Sequence, residues 1–357
     1  MHRRKFLQAG TLGGAASALG APALAQNRRT LTMVTTWERG ADGVHDAAQH
    51  AADSISQMSD GAVTVDLKAA GELVHAYDVF DTVTSGQVDM YHGPDYWFTA
   101  QHPAYAFFTT VPFGMTAAEM ATWYYQDGGR ELHDRLGDIF NLKSFLAGNT
   151  GAQAGGWYRR LITGPEDFQG LRIRMPGLGG KVMMELGAEV ITLPGAEVYE
   201  ALRTGAIDAT EWVGPWADER AGLGDLVSYY YPAGFHEPAG GLTLAVNRDV
   251  YDGLIPAHQR IIEIASAETH QWSLAQYLSQ NGRAMQRMAR SRLTLAEFPA
   301  DVWDAFGTAA AQIHQEHLVE PLYSEVYDSY RRSMRATSRW LSASEMPYRT
   351  QRDRLMG

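Results

Sequence analysis

An eleven-residue pattern of apolar, polar and glycine positions recurs in this chain at a constant spacing, and that recurrence constrains the fold more than any other feature. Val79-Phe80-Asp81-Thr82-Val83-Thr84-Ser85-Gly86-Gln87-Val88-Asp89 lies over Val198-Tyr199-Glu200-Ala201-Leu202-Arg203-Thr204-Gly205-Ala206-Ile207-Asp208, an offset of 119. In each copy an apolar stripe at helical spacing runs into a glycine and then into a β-branched residue followed by aspartate. The pattern reads as helix, left-handed C-cap and strand. Any helix-glycine-strand corner has this look, so the flanking residues decide whether a larger unit repeats.

The flanks extend the correspondence. Upstream of the first copy, Thr30 to Thr36 is β-rich, and Val44, Ala47, Ala48, Ala51, Ile55 and Met58 fall at helical spacing. Asp60-Gly61 stops that helix before Val63, Val65 and Leu67 alternate as a strand. A second helix over Tyr77 to Ser85 and a strand over Val88 to His92 complete a βαβαβ unit. Around the second copy, Leu171 to Arg174, Gly179 to Leu186, Glu189 to Thr192 and Ala196 to Thr204 give strand, helix, strand and helix. A chain of 357 residues exceeds what one core usually serves, so an α/β fold of two lobes is expected.

Ligands of open parallel sheets sit at the carboxyl ends of the strands. Those ends are His92 to Trp97 in one lobe and Glu211 to Trp216 in the other. After Gly240-Gly241, the apolar run Leu242 to Val246 reads as a strand crossing back. From Ala257 to Arg290 the helical pattern runs without a proline, about 50 Å at 1.5 Å per residue, long enough to span both lobes. Amphipathic helices over Asp301 to His317 and Pro321 to Trp340 carry aromatic surface that the same chain or a second copy must cover. The expected division is a leader over 1–25, lobe I over 26–150 together with part of the C-terminal region, lobe II over 151–246, and the spanning and C-terminal helices over 247–357.

The leader reads as an export signal. Arg3-Arg4-Lys5-Phe6-Leu7 is a twin-arginine pattern, a weakly apolar run rich in glycine and alanine follows, and Ala23-Leu24-Ala25 is a cleavage site. The run is too interrupted to span a bilayer, so a free periplasmic protein beginning at Gln26 is expected. Forty-one acidic against 30 basic residues argue against a nucleic-acid binder. The absence of cysteine excludes disulfides, thiolate metal sites and cysteine nucleophiles. The G-x-S-x-G, H-E-x-x-H and phosphate-loop signatures are missing, as is G-x-G-x-x-G, and His314 and His317 are more readily solvated histidines than metal ligands.

What remains is a set of polar residues among aromatics and glycines. It comprises Gln153 in Gly151-Ala152-Gln153-Ala154-Gly155-Gly156-Trp157-Tyr158, Arg174 in Leu171-Arg172-Ile173-Arg174-Met175-Pro176-Gly177, Glu211-Trp212, and Glu237 in Phe235-His236-Glu237-Pro238. An arginine offers a planar fork that grips a carboxylate through two parallel hydrogen bonds.

With these motifs the chain resembles the substrate-binding subunits of tripartite ATP-independent periplasmic (TRAP) transporters, in the branch that binds 2-oxo and 2-hydroxy monocarboxylates. Thr35-Thr36-Trp37, His102-Pro103-Ala104, Val111-Pro112-Phe113-Gly114-Met115, Gly156-Trp157-Tyr158, Gly170-Leu171-Arg172-Ile173-Arg174, Gly205-Ala206-Ile207-Asp208-Ala209 and Glu211-Trp212-Val213-Gly214-Pro215-Trp216 carry the resemblance over nearly the whole mature chain. It implies a two-lobed periplasmic binding protein of type II-like architecture, a ligand enclosed between the lobes, a bound cation and delivery to membrane permease subunits. It further implies that Arg174 binds the ligand carboxylate and that Gln153, Glu211, Trp212 and Glu237 surround ligand and metal. Some relatives dimerise through a terminal helix, so a homodimer is a further implication.

Charge chemistry also favours a cation, because two glutamates facing a carboxylate ligand would otherwise repel it. Sodium or calcium would take both glutamates, the Gln153 amide oxygen, the Trp212 carbonyl and two ligand oxygens. The competing reading pairs Glu211 and Glu237 with Arg172, Arg174 or Arg248 as structural ion pairs. Trp37, Tyr96, Trp97, Trp212, Trp216 and Phe235 are candidates for the wall that selects the ligand's tail. Asp95 and the polar segment Glu38 to Asp42 depart from the family pattern, and Asp95 would add negative charge if it faced the cleft. The readings from other classes are a metal-dependent lyase or hydrolase acting on similar acids and a sensor module presenting ligand to a receptor; the expectation is a binder without covalent chemistry.

Overall fold

A computed structural model describes residues 28–356, so the expected twin-arginine leader lies outside the described residues. The chain begins with β1 (Arg29–Thr35), α1 (Val44–Met58), β2 (Val63–Lys68), α2 (Val79–Thr84) and β3 (Met90–Gly93). Three helices, α3 (Ala106–Thr109), α4 (Ala117–Gln126) and α5 (Gly129–Asp138), lead to β4 (Leu142–Asn149) and across to β5 (Gly156–Tyr158). The second unit is β6 (Arg172–Arg174), α6 (Gly177–Glu185), β7 (Glu189–Val190), α7 (Gly195–Thr204) and β8 (Ala209–Thr210). Then follow α8 (Pro215–Arg220), β9 (Tyr229–Tyr231), β10 (Gly241–Asn247), α9 (Arg248–Asp252), α10 (Pro256–Met288), β11 (Thr294–Leu295), α11 (Ala300–His317), α12 (Pro321–Ala343) and α13 (Glu345–Met356).

The repeat is structural. One sheet runs β2-β1-β3-β10-β4 and the other, from its far edge, β7-β6-β8-β5-β9-β11. In each, the first strand of the unit lies between the second and third, all parallel. A fourth strand then pairs antiparallel with the third, β10 on β3 and β5 on β8. The two corner glycines, Gly86 and Gly205, both sit at φ 75°, the left-handed cap that a side chain strains to adopt. The recurrence of 79–89 at 198–208 therefore marks two copies of one topology.

Each fourth strand comes from chain that has just crossed between lobes. The first crossing joins β4 to β5 and the second joins β9 to β10; they run side by side, with Thr150 N donating to Gly240 O at 3.0 Å and Gln153 N to Glu237 O at 2.8 Å. The boundary expected at 246 moves for this reason. Residues 241–247 pair on both sides within the first sheet, because all seven are buried and a central strand completes their hydrogen bonds. Thr294-Leu295, expected among spanning and C-terminal helices, adds to the edge of the second sheet.

The long helix spans as expected, with Pro256 at its first turn. His270 reaches Gly148 O in the first lobe, and Asn281 accepts from Trp216 N in the second. Much of the aromatic surface of α11 and the first part of α12 is covered within the chain, where Phe306 stacks on Phe235 and Tyr330 meets Phe107 and Trp123, whereas Trp340 near the end of α12 is exposed.

Candidate functional site

The two crossings and two strand ends meet at one place. Gln153 comes from the first crossing, Glu237 from the second, Arg174 from the end of β6, and Glu211-Trp212 from the turn after β8. That turn is held from beneath by Asp218, which accepts from Val213 N at 3.1 Å, Gly214 N at 2.9 Å and Trp157 Nε1 at 2.9 Å. Burial nevertheless raises the Asp218 carboxyl to about 7.

Between the lobes lies a cavity of about 50 Å³, counted as space open to the centre of a water molecule, which suits a few waters or one small organic molecule. Arg174, Gln153, Glu237 and Trp212 line it from the second lobe and the crossings, and Trp37 and Tyr96 from the first. Of the expected aromatic wall, Trp97 is also there. Trp216 packs instead on Tyr277 of α10, with ring centroids 5.5 Å apart. Phe235 lies in the core, stacked on Phe306 at 4.0 Å, and is not among the lining residues.

Arg174 is buried, donates to Leu193 O through Nε at 3.4 Å, and pairs through Nη1 with the buried Glu211. Its guanidinium also lies over the Trp212 ring, 5.5 Å from the centroid. The ion pair weighed against the metal reading is thus present for Arg174, while Arg172 pairs with Asp208 and Arg248 with Asp134 and Asp138. Strand alternation puts Arg172 and Arg174 on one face, and their different depth along it separates their roles.

Charge around Glu237 is not balanced. Burial, followed by the nearby charge of Glu211, pushes its carboxyl well above the usual range, and Arg174 and Tyr96 offset only part of this. Among the described residues Glu237 Oε2 and Gln153 Oε1 are buried acceptors without a donor, although Gln153 Nε2 donates to Thr150 Oγ1 at 3.2 Å. Orphaned oxygens beside a carboxylate are what a hard cation fits, since a donor-free acceptor is otherwise costly. Glu211, His236 and Glu237 place potential ligand atoms within 4.8 Å of one another.

Several neighbours were not among the expected binding residues, although His236 and Glu38 stood beside them in the sequence. His236 lies 3.5 Å from Glu211 Oε2, and both its ring nitrogens lack hydrogen bonds. Thr36, Thr150 and Glu38 line the cavity. His92 accepts from Trp37 Nε1 at 3.1 Å through Nδ1, so its Nε2 carries the proton donated to Ala147 O at 3.0 Å. Burial lowers this imidazole to about 4, and it fixes the indole from behind in a neutral form.

Two expectations need correcting or closing. Asp95 faces away from the cleft: it is fully buried and bonded to His133 at 2.8 Å, Thr243 at 2.9 Å and Tyr91 at 3.3 Å. His133 and Thr243 come from much later in the sequence, 38 and 148 positions on, which hid them. His314, expected to be solvated, is instead buried and bonded to the Tyr323 hydroxyl at 2.7 Å, while His317 meets Lys181.

Residues 34–320 match the profile of bacterial extracellular solute-binding protein, family 7. The chain belongs to this family. Within family 7 it is 36% identical over 317 residues to a monocarboxylate 2-oxoacid-binding periplasmic protein of Nostoc, covering 88% of this chain and 87% of that one. A TRAP periplasmic solute-binding protein of Pseudoalteromonas atlantica, solved with sodium and pyruvate, superposes with a TM-score of 0.87 at 34% identity, covering 90% of this chain and 98% of that one. One from Colwellia psychrerythraea, with calcium and pyruvate, gives 0.88 at 32% identity and covers 91% and 99%. A TRAP solute-binding protein of Bordetella bronchiseptica, described as a mixed-occupancy dimer with calcium and picolinate, gives 0.88 at 29% identity and covers 91% and 97%. These likenesses bear out the two-lobed α/β architecture and the TRAP solute-binding assignment.

Proposed function

We propose that this protein is the periplasmic receptor of a TRAP transporter, capturing a 2-oxo or 2-hydroxy monocarboxylate with sodium or calcium and delivering it to membrane permease subunits. The observation that carries the reading is the cavity containing one arginine, two acceptors without donors and a carboxyl pushed up by burial. Arg174 would take the ligand carboxylate. Gln153, Glu211, the Trp212 carbonyl and Glu237 would hold the cation, which supplies the positive charge that allows an anion beside two glutamates. A 2-oxo or 2-hydroxy acid offers it two oxygens, so the ligand is held at two points. Trp37, Tyr96 and Trp212 exclude water from around it. The relatives solved with pyruvate and sodium or calcium support this chemistry.

The periplasm is the site of action in this reading, reached through the twin-arginine leader over residues 1–25. Among the described residues no helix is long and apolar enough to cross a membrane. The C-terminal arm favours a homodimer, because Trp340, Tyr348 and Leu355 are each at least 66% exposed along α12 and α13. Light scattering reads this: twice the chain mass is expected, and a monomer at micromolar concentration contradicts it. The functional reading is tested by mass spectrometry of gently purified protein, in which a small 2-oxo or 2-hydroxy acid and a cation are expected together. Turnover of such acids followed by NMR would favour an enzyme instead.

A further inference from the structure

The geometry points to Glu38 as the residue that restricts the cavity to acids carrying a single carboxylate, an inference that rests on the function proposed above. Glu38 follows Trp37 in the loop after β1, and it lines the cavity from the first lobe. Its Oε1 accepts from Ala196 N at 3.3 Å, at the first turn of α7 in the second lobe. Pro194, the N-cap of α7, has no side-chain acceptor, so the opposite lobe supplies the cap when the two meet.

Three observations make this carboxylate selective. Arg174 is the one cationic side chain lining the cavity among the described residues, and it is already engaged by Glu211. The rest of the lining, with the apolar Ala41, Val44, Trp97 and Leu242 and the hydroxyls of Thr36, Thr109 and Thr150, offers a second carboxylate no fork or ammonium. Glu38 Oε2 itself stands 3.5 Å from where a Cβ on Gly195 would lie, beside the Trp212 ring that roofs Arg174. A ligand gripped at Arg174 that extends a second anionic group along the 193–196 turn meets Glu38, where two like charges close together repel even at the half-buried rim of the cavity. An uncharged tail of the same size meets no such penalty.

The experiment compares two acids of equal size, L-malate and L-2-hydroxy-4-methylpentanoate, with pyruvate as the reference. Binding is measured by calorimetry to the unaltered protein and to Glu38→Gln, whose amide oxygen still caps Ala196 while the charge is gone. The expected result is at least a tenfold gain for malate in Glu38→Gln, with pyruvate and the branched hydroxy acid changed less than about threefold. Glu38→Ala, which loses the cap as well, should weaken pyruvate. Malate binding equally to both proteins, or all three acids shifting in parallel, overturns the role of Glu38 while leaving the receptor function standing. Failure of pyruvate to bind either protein overturns the function and this inference with it.

Discussion

Arg174 and Glu211 are buried together, and each is the other's answer to desolvation. Replacing Arg174 with alanine strands a carboxylate where water does not reach, a change that costs about 3–5 kcal/mol in comparable buried pairs. The expected outcome is a folded protein by circular dichroism, a lowered unfolding temperature and at least a hundredfold loss of pyruvate affinity. Arg174→Lys keeps the charge but not the fork, and should keep most of the stability while losing much of the affinity. Equal affinity in all three proteins would remove Arg174 from the ligand. Sequence exposed Arg174, Gln153, Glu211 and Glu237 because charged and amide residues among glycines and aromatics lack an obvious core role. It placed His236 beside Glu237 without a role and did not expose His92, whose setting depends on residues distant in the chain, and it misassigned Phe235, whose stacking partner Phe306 is 71 positions away.

At the scale of elements, the strands and helices were legible wherever a period ran uninterrupted, as in α1 and in the helix over Pro256–Met288. The sheet membership of β10 was not, since an apolar run carries no address and pairing is long-range. The spanning helix also yields a prediction. His270 donates through Nδ1 to Gly148 O at 2.9 Å, its Nε2 has no partner, and burial lowers the imidazole to about 4. A group depressed from about 6.5 unfolded to about 4 folded contributes stability that is complete above the higher value and lost as pH falls toward the lower. His270→Asn keeps the donor to Gly148 and removes the titration. Urea midpoints measured from pH 7 to 4 should fall less in the variant, by up to about 3 kcal/mol in free energy. Parallel pH profiles would show that this contact does not govern the acid limb.

Over the whole molecule, four passages of chain join the lobes: two crossings that carry Gln153 and Glu237, one long helix, and the turn from α11, which packs on α6, to α12, which packs on α4 and α5. The site therefore straddles the axis about which the lobes would open, and contacts between lobes such as Asp42 with Arg220 and Glu38 with Ala196 would part on opening. Small-angle scattering should report a smaller radius of gyration with pyruvate and cation than without. An unchanged radius would indicate that ligand enters without lobe motion.

The central claim is that one organic anion is shared between Arg174 and a metal ion. Calorimetric titration of pyruvate into protein stripped of ligand and metal, first in choline buffer and then with sodium or calcium restored, tests it most directly. The account predicts micromolar binding with one of these cations, at least tenfold weaker binding without either, and none in Arg174→Ala. Equal affinity in all three buffers would contradict the metal, and undiminished affinity in the variant would contradict the arginine.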